Sequence, residues 1–111
     1  MTQIQMKGKT LNLAFTLQAA ISYERMTGKS ALDLDQFQDG KLEPIVVLGY
    51  CMLAANNAKG DVPDFDIFVR EMDFGKDFVS FSNGIAEEIR RYFAPQTGDE
   101  KPEEGDQPKN D

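Results

Sequence analysis

Residues 44–58 constrain the fold of this chain more than any other stretch. They carry no charge, and almost every residue from Pro44 through Ala55 is apolar. The next charged residue is Lys59. A helix on a protein surface shows polar positions every three or four residues, but none appears here before Asn56 and Asn57. The stretch therefore predicts one central helix that the other elements cover on most sides.

Charge and composition predict one small acidic domain. At 111 residues and 41% hydrophobic content, the chain can build a single modest core. Its net charge is −7, with six acids and two lysines in residues 95–111. That segment has no aliphatic or aromatic residue, so we predict a domain over 1–94 and a disordered acidic tail over 95–111. The rest lacks the basic excess that a nucleic-acid partner requires.

The N-terminal residues 3–15 predict a β-hairpin. Apolar Ile4 and Met6 alternate with glutamines, the pattern returns from Leu11 onward, and Gly8 between them suits a tight turn. An isolated hairpin is marginal in water, so its apolar face must pack on helices. If the chain forms a homo-oligomer, an uncovered side of the central helix near Tyr50 or Met52 is the expected interface.

Four helices are predicted after the hairpin, at residues 17–27, 44–58, 65–73 and 78–93. The first has Thr16 as a candidate N-cap and Gly28 after its last turn, and Asp64 and Asp77 are candidate caps of the last two. In the first helix, Leu17, Ala20 and Ile21 are expected on the buried face, which Ala19, Tyr23 and Met26 extend. In the last, the predicted wet face includes Glu88, and Gly84 allows a break. The predicted fold is α+β and mainly α: a hairpin, a compact bundle of about four helices and the acidic tail.

The sequence offers little for catalysis or metal binding. It has no histidine and a single cysteine, Cys51, and its glycines are scattered at turns. The aspartates before Gly40 lack the spacing of a calcium loop. We therefore predict no enzymatic activity, no cofactor and no metal site. The polar start and the absence of an apolar run of about 20 residues predict a soluble cytoplasmic protein.

The phenylalanines of the second half allow two interpretations. Six of the eight lie between Phe65 and Phe93. In the first interpretation, they all pack against the central helix. In the second, some form an exposed apolar patch for a protein partner, because they do not all fit one buried stripe. The candidate partner-binding residues of the second interpretation are Phe74, Phe78, Phe81 and Phe93.

The order of several segments resembles a known family. Residues 23–29 read Tyr-Glu-Arg-Met-Thr-Gly-Lys, and a Ser-x-Leu-x-Leu connector, an apolar helix and a short Phe-Asp-x-Phe helix follow. This arrangement resembles the tail assembly chaperones of long-tailed bacteriophages and prophages, in which a Phe/Tyr-Glu-x-x-Thr-Gly-Lys segment recurs at this position. The resemblance covers roughly residues 6–74. The Phe-rich last helix departs from the family pattern.

The resemblance implies a small, mainly helical, non-enzymatic protein that is absent from the finished virion. Members of the family bind the long tape-measure protein, keep it soluble and help recruit tail-tube subunits in the cytoplasm of the bacterial host. The family carries no catalytic residues that could be transferred to this chain. The alternative from a different class is a small acidic regulatory or inhibitory module, antitoxin-like, that binds a basic target.

Overall fold

A computed structural model describes residues 1–97, and the side chains of residues 1–92. The described elements are β1 (Thr2–Met6), β2 (Lys9–Leu13), α1 (Leu17–Thr27), a 3₁₀ helix (Leu34–Phe37), α2 (Leu42–Asn56), α3 (Phe65–Glu71) and α4 (Asp77–Thr97). An N-terminal hairpin followed by four helices confirms the predicted α+β, mainly α fold. Helix α4 continues past the predicted end at Phe93, so residues 95–97 are helical. The remainder of the predicted tail, 98–111, lies outside the described residues.

The hairpin has the turn and the buried face that its sequence predicts. β1 and β2 pair antiparallel through a two-residue loop in which Lys7 and Gly8 both have positive φ, 53° and 77°. Two successive positive φ angles give a turn whose twist matches that of the flanking strands. The apolar face is buried, and its members are Ile4, Met6, Leu11 and Leu13.

Helix α2 is the centre of the core, as its uniform apolarity predicts. Helix α1 packs against it, and α4 crosses it at Gly49. A Cβ atom at Gly49 would collide with the ring of Phe81 and with the Ile85 side chain, so glycine permits this close crossing. Met52 is fully buried, which removes it from the proposed oligomer interface, and Tyr50 is half-buried.

The buried face of helix α1 is only part of the predicted one. Ala19 and Tyr23, which were expected to extend that face, are buried, whereas Leu17 is 77% exposed and Ile21 39% exposed. On the same side as Tyr23, Sδ of Met26 lies 3.6 Å from Sγ of Cys51 on α2. Ala19, Tyr23 and Met26 follow the i, i+4, i+7 spacing of one helix face. The prediction was wrong for Leu17, which lies on a second, shorter apolar line.

The predicted helix caps are confirmed for α1 only. The Thr16 hydroxyl accepts a hydrogen bond from the Ala19 N–H at 3.2 Å, and Gly28 closes the helix with φ of 77°. Asp64 precedes α3 but makes no side-chain capping bond. The Asp77 carboxylate lies in the first turn of α4, where it accepts the backbone N–H of Asp73 at 3.1 Å.

Helix α4 packs closely on the hairpin, without a break at Gly84. A Cβ atom at Gly84 would lie 2.8 Å from a methyl group of Leu13 and 2.9 Å from one of Ile4. Glycine is therefore present for close approach rather than for a kink. One turn further along the same face, Glu88 is fully buried, so its predicted place on the wet side was wrong.

The Glu88 carboxylate binds the open end of the hairpin to α4, through the residue that starts β1 and a residue just after β2. It accepts the Thr2 hydroxyl at 2.7 Å and the Phe15 N–H at 3.0 Å. Arg91, one turn along the helix, donates to the same carboxylate at 2.8 Å. A buried carboxylate is tolerated when charged and neutral donors satisfy it in this way.

The end of α2 is fixed to the edge of β2 by an asparagine. The side chain of Asn57 accepts the Asn12 N–H at 2.9 Å and donates to the Asn12 carbonyl at 2.8 Å. The amide thus satisfies both main-chain groups of Asn12, as a neighbouring strand would. Together with Glu88, it orients the hairpin on the helices.

Candidate functional site

The structure separates the four phenylalanines that the sequence suggested as a partner surface. Phe81 is fully buried, its ring centroid 5.5 Å from that of Phe68. Its assignment to an exposed patch was therefore wrong, because the α4 face that crosses Gly49 carries it into the core. Phe74 is 67% exposed and stacks on half-buried Phe78, with centroids 5.1 Å apart and planes at 14°. The side chain of Phe93 lies outside the described residues.

Phe74 and Phe78 form one wall of an apolar surface groove of about 340 Å³. Helix α3 forms another wall, and the first turns of α2 form the third. We call this the Phe74 groove, and its lining residues are Leu42, Glu43, Val46, Phe65, Val69, Met72, Phe74 and Phe78.

The α3 wall follows from helical spacing. Phe65, Val69 and Met72 stand at i, i+4 and i+7, which places them on one face. Phe65 is held edge-on against Tyr50, with ring centroids 5.2 Å apart, and the Tyr50 hydroxyl donates to the Pro63 carbonyl at 2.8 Å. The groove therefore has a wall anchored on α2 by an aromatic contact and a hydrogen bond.

Sequence reasoning missed the other half of the groove. Leu42 is 54% exposed and Val69 45% exposed, although both are apolar and line the groove. Leu42 precedes the predicted start of the central helix, so no predicted helical face includes it. The Phe65–Val69–Met72 spacing was recognised, but an amphipathic pattern does not say whether its apolar face meets the core or a partner.

The exposed apolar surface continues beyond the Phe74 groove. Leu42 and Phe78 also line a neighbouring groove of about 490 Å³ between the 3₁₀ helix and α4. Its other apolar contributors include Phe37, Ile45 and Ile89, all partly buried. The two grooves share a wall, so an elongated ligand can contact both.

Acids outnumber cations in the segments that line the Phe74 groove, where Glu43 is itself a lining residue. The charged residues that line it or adjoin a lining residue in sequence are six acids and two cations. We call the acids the acidic rim: Glu43, Asp64, Asp66, Glu71, Asp73 and Asp77. The cations are Lys41 and Arg70. This local charge of −4 exceeds the −3 of all side chains in residues 1–97, which contain 13 acids and 10 cations.

Most of the acidic rim has no cationic partner in the described part of the chain. Asp77 lies 3.7 Å from Nζ of Lys7. The other ion pairs found among residues 1–92 involve Glu87 and Glu88 on α4, away from the groove. Five rim carboxylates are therefore available to an approaching cation. Lys41 and Arg70 are likewise available to an approaching anion.

Burial disfavours the charged forms of three ionisable groups in the core. Burial raises the pKa of the Cys51 thiol to about 11, so the thiol stays protonated at neutral pH. Burial likewise raises the pKa values of Tyr23 and Tyr50. Within residues 1–92 no group of three or more Cys, Asp or Glu side chains is arranged to hold a metal ion. No helix in the described residues is long and apolar enough to cross a membrane.

Comparison with known proteins finds no matching family model, no matching curated protein and no matching solved structure. The functional interpretation therefore depends on the Phe74 groove and on the resemblance of residues 6–74. The first is a property of the folded chain, and the second of its sequence.

Proposed function

We propose that this protein is a non-enzymatic tail assembly chaperone of a long-tailed phage or prophage. In this proposal it binds the tape-measure protein and helps recruit tail-tube subunits in the cytoplasm of the bacterial host. The observation that carries the proposal is the apolar Phe74 groove, with Phe74 itself 67% exposed at its edge. The resemblance of residues 6–74 supplies the identity of the client.

The groove supports a chaperone because it matches what such a client would present. Contiguous apolar surface on a soluble protein commonly marks an interaction site. An apolar groove between helices accepts the apolar face of an amphipathic helix, and a tape-measure protein is long and helical in the family that this chain resembles. A net charge of −7 would also help to keep a complex with an apolar client in solution.

A small acidic inhibitor or antitoxin-like module is the second candidate. The concentration of acids around the Phe74 groove favours it, because an inhibitor of a basic target would concentrate its acids in one field. Deleting residues 98–111 leaves every described element intact and tests the form of this candidate that acts through the acidic tail, whereas an inhibitor that used the acidic rim would survive the deletion. A chaperone that binds through the groove keeps most of its affinity, whereas an inhibitor that acts through the acidic tail loses it.

Co-expression tests the proposed function. When the chain is produced together with the tape-measure protein of the same phage, we expect a clear rise in the soluble fraction of the tape-measure protein. The measurement is the ratio of soluble to total tape-measure protein, with and without the chain. An unchanged ratio, with the chain itself folded by circular dichroism, would contradict the proposal.

A further inference from the structure

We infer that the Phe74 groove selects an amphipathic helix whose apolar face is flanked by lysine or arginine. This inference rests on the proposed function, because it specifies the client segment that the groove receives. It commits to one occupant, a cationic helix from another protein. The acidic rim is the feature that distinguishes this occupant from apolar helices in general.

The shape of the groove fits a helix side. Three helical walls, from α2, α3 and α4, contribute the apolar residues, and Leu42 and Phe78 extend the surface into the neighbouring groove. A bound amphipathic helix uses anchors at i, i+3 or i+4 and i+7, which form an elongated stripe. The two grooves together accommodate such a stripe, and the charge selection is confined to the Phe74 groove, because the charged residues that line the neighbouring groove are the cations Lys41 and Arg90.

The charge at the edge of the groove determines which charge the flanking residues of a partner should carry. Six acids oppose two cations, and five of those acids have no cation within 4 Å among the described residues. Lysine or arginine beside the apolar face of a docked helix would meet these carboxylates, whereas glutamate there would meet like charge. Complementary charge around an apolar contact favours one class of partner over another.

Residues 98–111 do not suit the groove as an occupant. They contain no aliphatic or aromatic residue and carry six acids against two lysines. That segment would bring no apolar anchor and would be repelled by the acidic rim. Two copies that met groove to groove would likewise place two acidic rims together. These charges favour an occupant that comes from a different protein and carries positive charge.

Two synthetic helical peptides test the charge selection on the full chain. Both have the same length and the same leucine and phenylalanine anchors, and their flanking positions are lysine in one and glutamate in the other. We expect the cationic peptide to bind about tenfold more tightly or better at low salt, because several exposed pairs each contribute modestly. The advantage should shrink toward 1 M salt, where the screening length falls to about 3 Å.

Neutralising part of the acidic rim tests whether these acids cause the preference for the cationic peptide. The variant Asp64→Asn/Asp66→Asn/Asp73→Asn removes three charges from side chains that make no hydrogen bond or ion pair among the described residues, so the fold is expected to persist. It should lose most of the preference for the cationic peptide. The control Glu24→Gln/Asp33→Asn/Asp35→Asn makes the same charge change at exposed positions away from the groove and should keep the preference.

The outcomes distinguish this inference from the proposed function. Equal affinity for both peptides, or a preference that survives in the rim variant, overturns the charge selection and leaves an apolar chaperone groove standing. Failure of both peptides to bind, with co-expression still effective, overturns the groove as the client site. Loss of the co-expression effect alone counts against the chaperone function and not against the charge selection.

Discussion

Replacing Glu88 by alanine is expected to lower the free energy of unfolding by about 3–5 kcal/mol. The carboxylate is fully buried and accepts hydrogen bonds from Thr2 and Phe15, on the two chain segments at the open end of the hairpin. A hydrogen bond to a charged group contributes about 1.5–3 kcal/mol, and both are lost. The contact with Arg91 adds less, because that side chain is 43% exposed.

The adjacent residue is the matched control for Glu88. Glu87 has the same side chain on the same helix, but it is 52% exposed and pairs with Arg90 at 3.0 Å on the surface. Glu87→Ala should change stability by less than about 1 kcal/mol. Urea unfolding followed by circular dichroism measures both variants. Equal effects of the two substitutions would contradict the buried position of Glu88.

Replacing Phe81 by alanine is expected to cost about 3–5 kcal/mol of stability, the usual cost of truncating a fully buried aromatic side chain. The Phe81 ring fills the crossing of α2 and α4 over Gly49 and touches the ring of Phe68. Because Gly49 has no side chain, it offers no atom that could fill the space that the ring leaves. A large drop in the urea midpoint is the measured signature.

The same substitution at Phe74 should have a much smaller effect. Phe74 is 67% exposed, and its principal contact is the stack with Phe78. An aromatic pair contributes about 0.5–1.5 kcal/mol, so Phe74→Ala should stay below about 1.5 kcal/mol. If Phe74→Ala destabilised the fold as much as Phe81→Ala, Phe74 would be a core residue and the groove would lose its exposed wall.

Local patterns in the sequence predicted the elements well. Alternation around Gly8 predicted the hairpin and its buried face, and the pair Thr16 and Gly28 gave both ends of α1. The uncharged stretch gave α2 to within two residues of its observed start at Leu42. In each case the signal is short-range, because turns, caps and helical faces are set by neighbours in the chain.

Long-range packing explains the errors. Phe81, Ile85 and Glu88 share one face of α4, yet a glutamate on that face reads as solvent-exposed unless the hairpin that surrounds it is known. Phe74 and Phe81 are the same residue type seven positions apart, and only the crossing at Gly49 decides which is buried. Spacing alone therefore could not divide the phenylalanines between the core and the partner surface.

The candidate site was likewise predictable where it depends on local patterns and unpredictable where it depends on long-range packing. The α3 stripe of Phe65, Val69 and Met72 was visible in the sequence, and Phe74 was named as a surface candidate. The acids of the rim were also visible, but they read as solvated charges on separate turns. The fold brings the segments that carry them together at one apolar groove, which α2, α3 and the start of α4 line.

The central claim, that the client binds in the Phe74 groove, is tested most directly by co-expression with two matched double variants. Leu42→Ser/Phe74→Ser removes two groove side chains that are 54% and 67% exposed. The control Leu17→Ser/Leu32→Ser removes two leucines outside the groove that are 77% and 64% exposed. Both variants should remain folded, because all four side chains are largely exposed.

The readout is the soluble fraction of the tape-measure protein. We expect the native chain and the Leu17→Ser/Leu32→Ser control to raise it equally, and Leu42→Ser/Phe74→Ser to leave it near the level seen without the chain. Full solubilisation by a folded Leu42→Ser/Phe74→Ser variant would contradict the claim that the client occupies this groove.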